Sequence, residues 1–319
     1  MDFVKDTQDE VGLTNVTISD YKVWVEDNAI PLIGGEVHYW RLVPENWQII
    51  LQRVLELNLQ VVATYVCWDF HEYSPGEYDF TGQTHPQRNL TGFLDLLTEM
   101  GFWVIIRPGP YIYTEWRNAG VPDEAARYHR LHPGFLRMSR QYMKAVVPVL
   151  KPYLATNGGR IILFQADNEI DPWHQWHTEA LGLGQKPGLF HEFLEERYSD
   201  INKLNDNWEA KFSSFDEARA TMCIPPDRAE LMPKYLDFCR FKHWFVHYAA
   251  QWMVDTYRKL GVDVPIYLNT YNHVSVKPWD DLEEIASFVG PDLYPTNEFA
   301  NQIDEHRKLM DSVRYARSY

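Results

Sequence analysis

From Pro31 to about Pro295 the chain alternates short apolar runs with stretches of helical period. Few folds satisfy that alternation. A strand, a covering helix and a returning parallel strand form a right-handed unit, and repeated units build a parallel sheet, open or closed into a barrel. The first strand candidate is Pro31–His38, and LQVVATYVCW from Leu59 is the second. FWVIIRP is the third, RIILFQADNE the fourth, VPIYLNT the fifth and ASFVGPDLYP the sixth. Between them, Pro44 opens a helix with Trp47, Ile50, Leu51, Val54 and Leu55 on one face. Asn89 can cap a second helix carrying Leu90, Phe93, Leu94 and Leu97, and Gly101 stands where it should end. Phe135–Leu154 is helical by period, with a kink expected at Pro148. Lys234–Leu260 reads as a long helix whose aromatics (Phe241, Trp244, Phe245, Tyr248, Trp252) suit a core.

The expected fold is therefore α/β, a (β/α)8 TIM barrel. Six strands are visible where eight close a barrel, so the barrel is expected to be incomplete at the C-terminus. Residues 1–30 read as an N-terminal tail or β element, with a strand and turn (Asp27, Asn28) in VTISDYKVWVEDNAI. Residues 31–319 read as the catalytic barrel, truncated before strand seven, with an insertion over about 170–233 after strand four. HRKLMDSVRYARSY at the end is helix-like.

Composition narrows the function classes. The chain of 319 residues is 45% hydrophobic, enough for a large core. A net charge of -15 argues against nucleic acid, whose phosphates repel such a surface. Cys67, Cys223 and Cys239 are too few and scattered for a disulfide framework or a cysteine zinc site. No run approaches the ~18 apolar residues of a membrane span, so no membrane partner is expected. MDFVKDTQDEVGLTN lacks the pattern of a signal peptide, and a cytoplasmic location is expected, with secretion left open. The 12 Trp and 19 Tyr are mostly core material, but they also suit stacking on sugar rings.

In a parallel barrel the active site lies at the C-terminal strand ends. Strand four buries Ile161–Phe164 and then presents Gln165, Asp167, Asn168 and Glu169. Carboxylates and amides at a buried rim are costly unless paired or used. Glycoside hydrolysis needs a carboxylic acid to protonate the leaving oxygen and a second carboxylate across the bond. Glu169 fits the acid/base, and Asn168 fits a hydrogen bond to the sugar 2-hydroxyl. Other strand ends add Glu36, Tyr65, Trp68, Glu115 and Trp116 as candidate walls, with Glu36 and His38 equally readable as a packed hydrogen-bonding pair. A metal-dependent hydrolase is a competing reading, with His174 and His177 or His129 and His132 as imidazole pairs, but neither pair shows HExxH or a third ligand. A non-catalytic carbohydrate-binding or partner protein is another.

IGGEVHYWR with PENW, TYVCWDFHEYSPGEYDFTG, GFWVIIRPGPYIYTEW and GGRIILFQADNE resemble the motifs of glycoside hydrolase family 35, the β-galactosidase family, in order and spacing. That resemblance spans Pro31 to Glu169 and implies a retaining exo-acting enzyme that releases terminal β-galactose without metal or organic cofactor. It implies Glu169 as acid/base, with Asn168, Tyr65, Glu115 and Thr114 against the sugar. Trp68 and Tyr294 join them as lining candidates. The expected substrate is a β-galactoside or related oligosaccharide, and a homo-oligomer or further C-terminal domains would suit such a protein. Tyr113 and Thr114 stand where the family usually shows Cys-Ala, and DNEID stands in place of ENEYG. The neighbouring family 42 β-galactosidases share the Asn-Glu logic. In this clan the nucleophile ends strand seven, so it is expected beyond Tyr319, with Glu298 a weak candidate inside the chain.

Overall fold

The structure, a computed structural model, describes residues 14–20, 22–172, 177–220, 228–271, 282 and 284–292. Its first element is a three-stranded antiparallel sheet formed by Val16–Ser19, Lys22–Val25 and Asn28–Ile30 in chain order. Val16, Val23, Val25 and Ile30 are its buried residues, and the turn falls at Glu26 and Asp27.

Six parallel strands follow: β1 (Gly34–Glu36), β2 (Val61–Tyr65), β3 (Trp103–Arg107), β4 (Ile161–Gln165), β5 (Ile266–Tyr271) and β6 (Phe288–Asp292). They lie side by side in chain order, each paired only with its sequence neighbours, as successive staves of a (β/α) barrel. All five residues of β4 are buried, as expected of a strand covered on both faces. The observed β1 is shorter than Pro31–His38. Only three residues of this outer strand pair with β2, and Leu32 and Ile33 remain exposed.

The helices are α1 (Trp47–Glu56), α2 (Leu90–Glu99), α3 (Pro133–Leu150), α4 (Leu189–Tyr198), α5 (Ile201–Trp208) and α6 (Met232–Lys259), besides short helical turns. Asn89 caps α2 through Oδ1, which accepts the Gly92 N–H at 3.0 Å. Just past α2, Gly101 takes the positive φ of 80° that glycine tolerates. Helix α3 runs through Pro148 and stops at Leu150, short of the expected Leu154. The proline sits in the last turn, where little helix remains to be disrupted, and a 3-10 turn at Lys151–Tyr153 follows.

Along α6, Phe241, Phe245, Ala249, Met253 and Tyr257 form the buried stripe, while Tyr248 is exposed. Tyr248 lies about 100° around the helix from Ala249, off that stripe. The described part of the segment after β4 carries α4 and α5, which a buried carboxylate ties to α6. Asp237 Oδ1 pairs with Arg197 and Arg240, each at 3.0 Å. Its Oδ2 accepts from Tyr198 Oη at 2.6 Å and Trp208 Nε1 at 2.8 Å. No helix among the described residues is long and apolar enough to cross a membrane.

These two polar anchors should differ in weight. Asn89→Ala is expected to cost about 1 kcal/mol, and Asp237→Ala, which strands buried donors, on the order of 3 kcal/mol. Equilibrium urea unfolding of the two variants against the parent checks the ranking.

Candidate active site

The parallel register sets polar strand ends around one rim. Glu36 lies opposite Ala63, Tyr65 opposite Arg107, and Gln165 opposite Tyr267. Arg107, at the end of β3, donates from Nε to Gln165 Oε1 at 2.6 Å and from Nη1 to Glu36 Oε1 at 2.5 Å. Its Nη2 reaches Asn168 Oδ1 at 3.2 Å, and its guanidinium lies 3.8 Å from the Tyr65 ring centroid. Asn168 Oδ1 also accepts from Tyr65 Oη at 2.7 Å, Gln165 Nε2 at 3.1 Å and Asn269 Nδ2 at 2.9 Å. Arginine carries only donors, so the atoms facing Arg107 must be the amide oxygens of Gln165 and Asn168. The Asn168 oxygen is thus saturated, and its Nδ2 hydrogens are left for the cleft.

Behind this rim, Asp167 and Arg130 form an ion pair with neither side chain exposed, Nε to Oδ2 at 2.6 Å. Asp167 Oδ1 takes the backbone N–H groups of Tyr111 at 3.0 Å and Asn168 at 2.9 Å. Arg130 Nη2 also donates to the Asn168 carbonyl at 2.9 Å. The loop after β4 is held in a costly conformation, with φ of 61° at Asp167 and 44° at Glu169. Tyr113, Thr114 and Glu115 in the loop after β3 have positive φ as well. Such strained, non-glycine backbone persists where surrounding contacts over-determine it, and it clusters at functional sites.

Glu36, His38, Tyr65, Arg107, Tyr113, Thr114, Glu115, Asn168, Glu169 and Asp292 line one cleft of about 390 Å³. Glu169 is half-buried in it. Burial, then the hydrogen bond and negative charge of Asp292, push its carboxyl from 4.5 up to about 7, against Arg107 and Arg130. Burial lowers the pKa of His38, leaving a neutral ring whose Nδ1 has no partner; Thr114 Oγ1 is likewise unpartnered.

Of the residues singled out from sequence, Glu169, Asn168, Tyr65, Glu115 and Thr114 come together here, as do Glu36 and His38. Trp68 does not. The chain turns into a short helix, Trp68–His71, straight after β2, and this carries the indole into the core. There it stacks on Tyr142 at 5.1 Å and donates to Glu72. Trp116 instead bonds Asp69 through Nε1 at 2.8 Å. His132 caps α3 by accepting the Gly134 N–H at 3.0 Å. Among the described residues no three His, Cys, Asp or Glu side chains are grouped to hold a metal ion. Tyr294, Glu298, His174 and the C-terminal helix-like stretch lie outside the described residues. Sequence reasoning passed over Arg107, Asn269 and Asp292. Arg107 and Asp292 are polar residues closing apolar strands, the same signal that drew attention to Glu169, while Asn269 is a polar residue inside β5.

The family model of Glycosyl hydrolases family 35 matches residues 22–215. The chain belongs to that family. An exo-beta-D-glucosaminidase of Thermococcus kodakarensis is 34% identical over 278 residues, 79% of this chain and 35% of that protein. A beta-galactosidase of Canis lupus familiaris is 35% identical across 51% of this chain and 24% of its own length. The chain thus spans only a quarter to about a third of these curated relatives. A beta-galactosidase structure from Bacillus circulans sp. alkalophilus shares the fold, with a TM-score of 0.62 at 15% identity, across 86% of this chain and 42% of that one. The family match covers every described cleft residue except Asp292.

The raised carboxyl has a consequence for stability. A protonated Glu169 favours the fold fully below its ordinary 4.5, and that contribution is lost as pH rises through about 7. Glu169→Gln, always neutral, should therefore gain Tm relative to the parent between pH 5 and pH 8, by a few degrees. Melting curves at both pH values check this.

Proposed function

We propose that this family 35 chain carries the acid/base half of a retaining exo-β-glycosidase acting on terminal β-galactosyl residues. Glu169 protonates the leaving oxygen and later takes a proton from water, roles that suit a carboxyl titrating near the operating pH. Among the described residues the cleft that holds Glu169 measures about 390 Å³, at the low end of the ~300–1,000 Å³ usual for ligand pockets. That size supports a single terminal sugar ring rather than a long chain.

The choice between a sugar with a 2-hydroxyl and a 2-amino sugar, as in the glucosaminidase relatives' names, turns on one observation. The Asn168 amide oxygen is taken by four donors, so the amide offers the ligand N–H donors only. A 2-hydroxyl can accept from them; a 2-ammonium group, with donors alone, cannot. This favours the hydroxyl sugars, and the beta-galactosidase relatives share that preference by name.

Three measurements test the reading. Glu169→Gln should lower turnover of an alkyl β-galactoside by roughly 10²–10⁴-fold and spare galactose binding. A binding protein would show no turnover in the parent. An activated 2-deoxy-2-fluoro-β-galactoside should accumulate as a covalent adduct whose peptide map identifies the nucleophile. On selectivity, the parent should favour aryl β-galactoside over aryl 2-amino-2-deoxy-β-glucoside by at least ~10-fold, and Asn168→Asp should narrow that ratio. A parent that prefers the amino sugar would refute the assignment at Asn168.

A further inference from the structure

Asp292 closes β6, in register with Tyr271 of β5. Its Oδ2 accepts from Asn269 Nδ2 at 2.8 Å, and its carboxyl lines the same cleft as that of Glu169, where its negative charge raises the Glu169 carboxyl. Asn269 Oδ1 in turn accepts the Glu169 backbone N–H at 3.1 Å. One amide therefore ties the Asp292 carboxylate to the backbone of Glu169. A retaining nucleophile stands ~5–5.5 Å from the acid so that the glycosidic bond fits between them. Asp292, tied through Asn269 to the backbone of Glu169 itself, is placed beside the acid as its neighbour in the cleft.

We propose that Asp292 is the positioning residue for Glu169: it accepts the hydrogen bond of the Glu169 carboxylic acid and holds the catalytic proton there until a glycoside enters. The inference rests on the glycosidase reading. In the first half-reaction the Glu169 proton passes to the glycosidic oxygen, the anomeric C–O bond breaks with its electron pair on oxygen as the nucleophile carboxylate bonds to the anomeric carbon, and the alcohol leaves. Glu169 is then a carboxylate beside the Asp292 carboxylate. Their repulsion strengthens it as a base. It takes a proton from water as the water oxygen bonds to the anomeric carbon and releases the enzyme nucleophile.

The groups facing Glu169 decide whether this holds. Arg107 on β3 and Arg130 before α3 favour its ionised form, and Asp292 on β6 opposes them. Tyr113, from the loop after β3, also lies within electrostatic reach of Glu169. Asn269 on β5 carries no charge, while Glu36, Glu115 and neutral His38 line the remainder of the cleft. The two arginines are largely committed elsewhere, Arg107 to Glu36 and Arg130 to Asp167. That leaves the Asp292 contact dominant among the neighbours.

The test is a pH titration of the full chain carrying glutamate labelled with ¹³C at Cδ, read by NMR. Glu169→Gln identifies the Glu169 resonance by deleting it. The parent midpoint should lie near 7, and Asp292→Asn should move it down by about one pH unit. Asp292→Ser, smaller still, should move it the same way, and the remote Asn89→Ala should not. A fall of less than about half a unit in both Asp292 variants, or a parent midpoint in the ordinary range near 4.5, would overturn the proposal. Hydrolysis is assayed separately. A parent that titrates near 7 but turns over no glycoside would count against the functional reading alone.

Discussion

Everything at the rim takes its direction from the Arg107 fork. A guanidinium has five donors and no acceptor, so each group it touches must turn an oxygen toward it. That requirement orients Gln165, whose Nε2 must then face Asn269 Oδ1 at 2.9 Å. Asn269, its oxygen occupied, must send Nδ2 to Asn168 and Asp292. Four strands are thereby read in one sense, from β3 through β4 and β5 to β6. Reversing any one amide would set donor against donor in a buried network, at the full cost of unsatisfied groups. On the proposed reading, selectivity at the sugar 2-position is thus set from the neighbouring strand, by the arginine that fixes the Asn168 amide.

A second constraint holds the loop that carries the acid. Positive φ at Asp167 and Glu169 costs on the order of 1–3 kcal/mol each. The Asp167 carboxylate offsets this by gathering the Tyr111 and Asn168 N–H groups and Arg130 around one point. A fully buried ion pair contributes little net stability by itself, because desolvation consumes most of the attraction. Its value here is conformational. Losing either partner leaves a buried charge, so the strained backbone of Asp167 and Glu169 has no cheap alternative state.

The strand-helix alternation was legible because burial writes period and length into sequence. β4 announced itself as an unbroken apolar run, and α2 by Asn89 and Gly101 at its ends. β1 was overdrawn because pairing, rather than hydrophobicity, ends an outer strand. Trp68 misled because a strand-end indole looks the same whether it faces a ligand or, as here, Tyr142. Arg107 and Asp292 were visible as polar strand ends and Asn269 as a polar residue within a strand, but their meaning depends on which strands are neighbours and in what register. The contact of Asp292 with Glu169 passes over β5 and joins residues more than a hundred positions apart. No local pattern encodes that.

Charge in the cleft presents a conflict that contact chemistry decides. Glu36 is matched by Arg107 and Arg130 by Asp167, so Asp292 and Glu115 leave the pocket negative within a chain of net charge -15. Such a field draws cations, and alone it would favour a 2-ammonium sugar over a neutral one. At physiological ionic strength, however, the field of exposed charges fades over ~8 Å and acts mainly on encounter. On the proposed reading of the site, the ammonium at the sugar 2-position would meet the Asn168 N–H donors at van der Waals range. A buried donor facing a donor costs about 1–3 kcal/mol, more for a charged group. That penalty sits beside the reacting carbon, where hydrogen bonds strengthen as the oxocarbenium develops, so it weighs on turnover more heavily than on capture. Long-range attraction and short-range rejection therefore act on different steps. A cationic sugar can be drawn in by the first and still fail at the second.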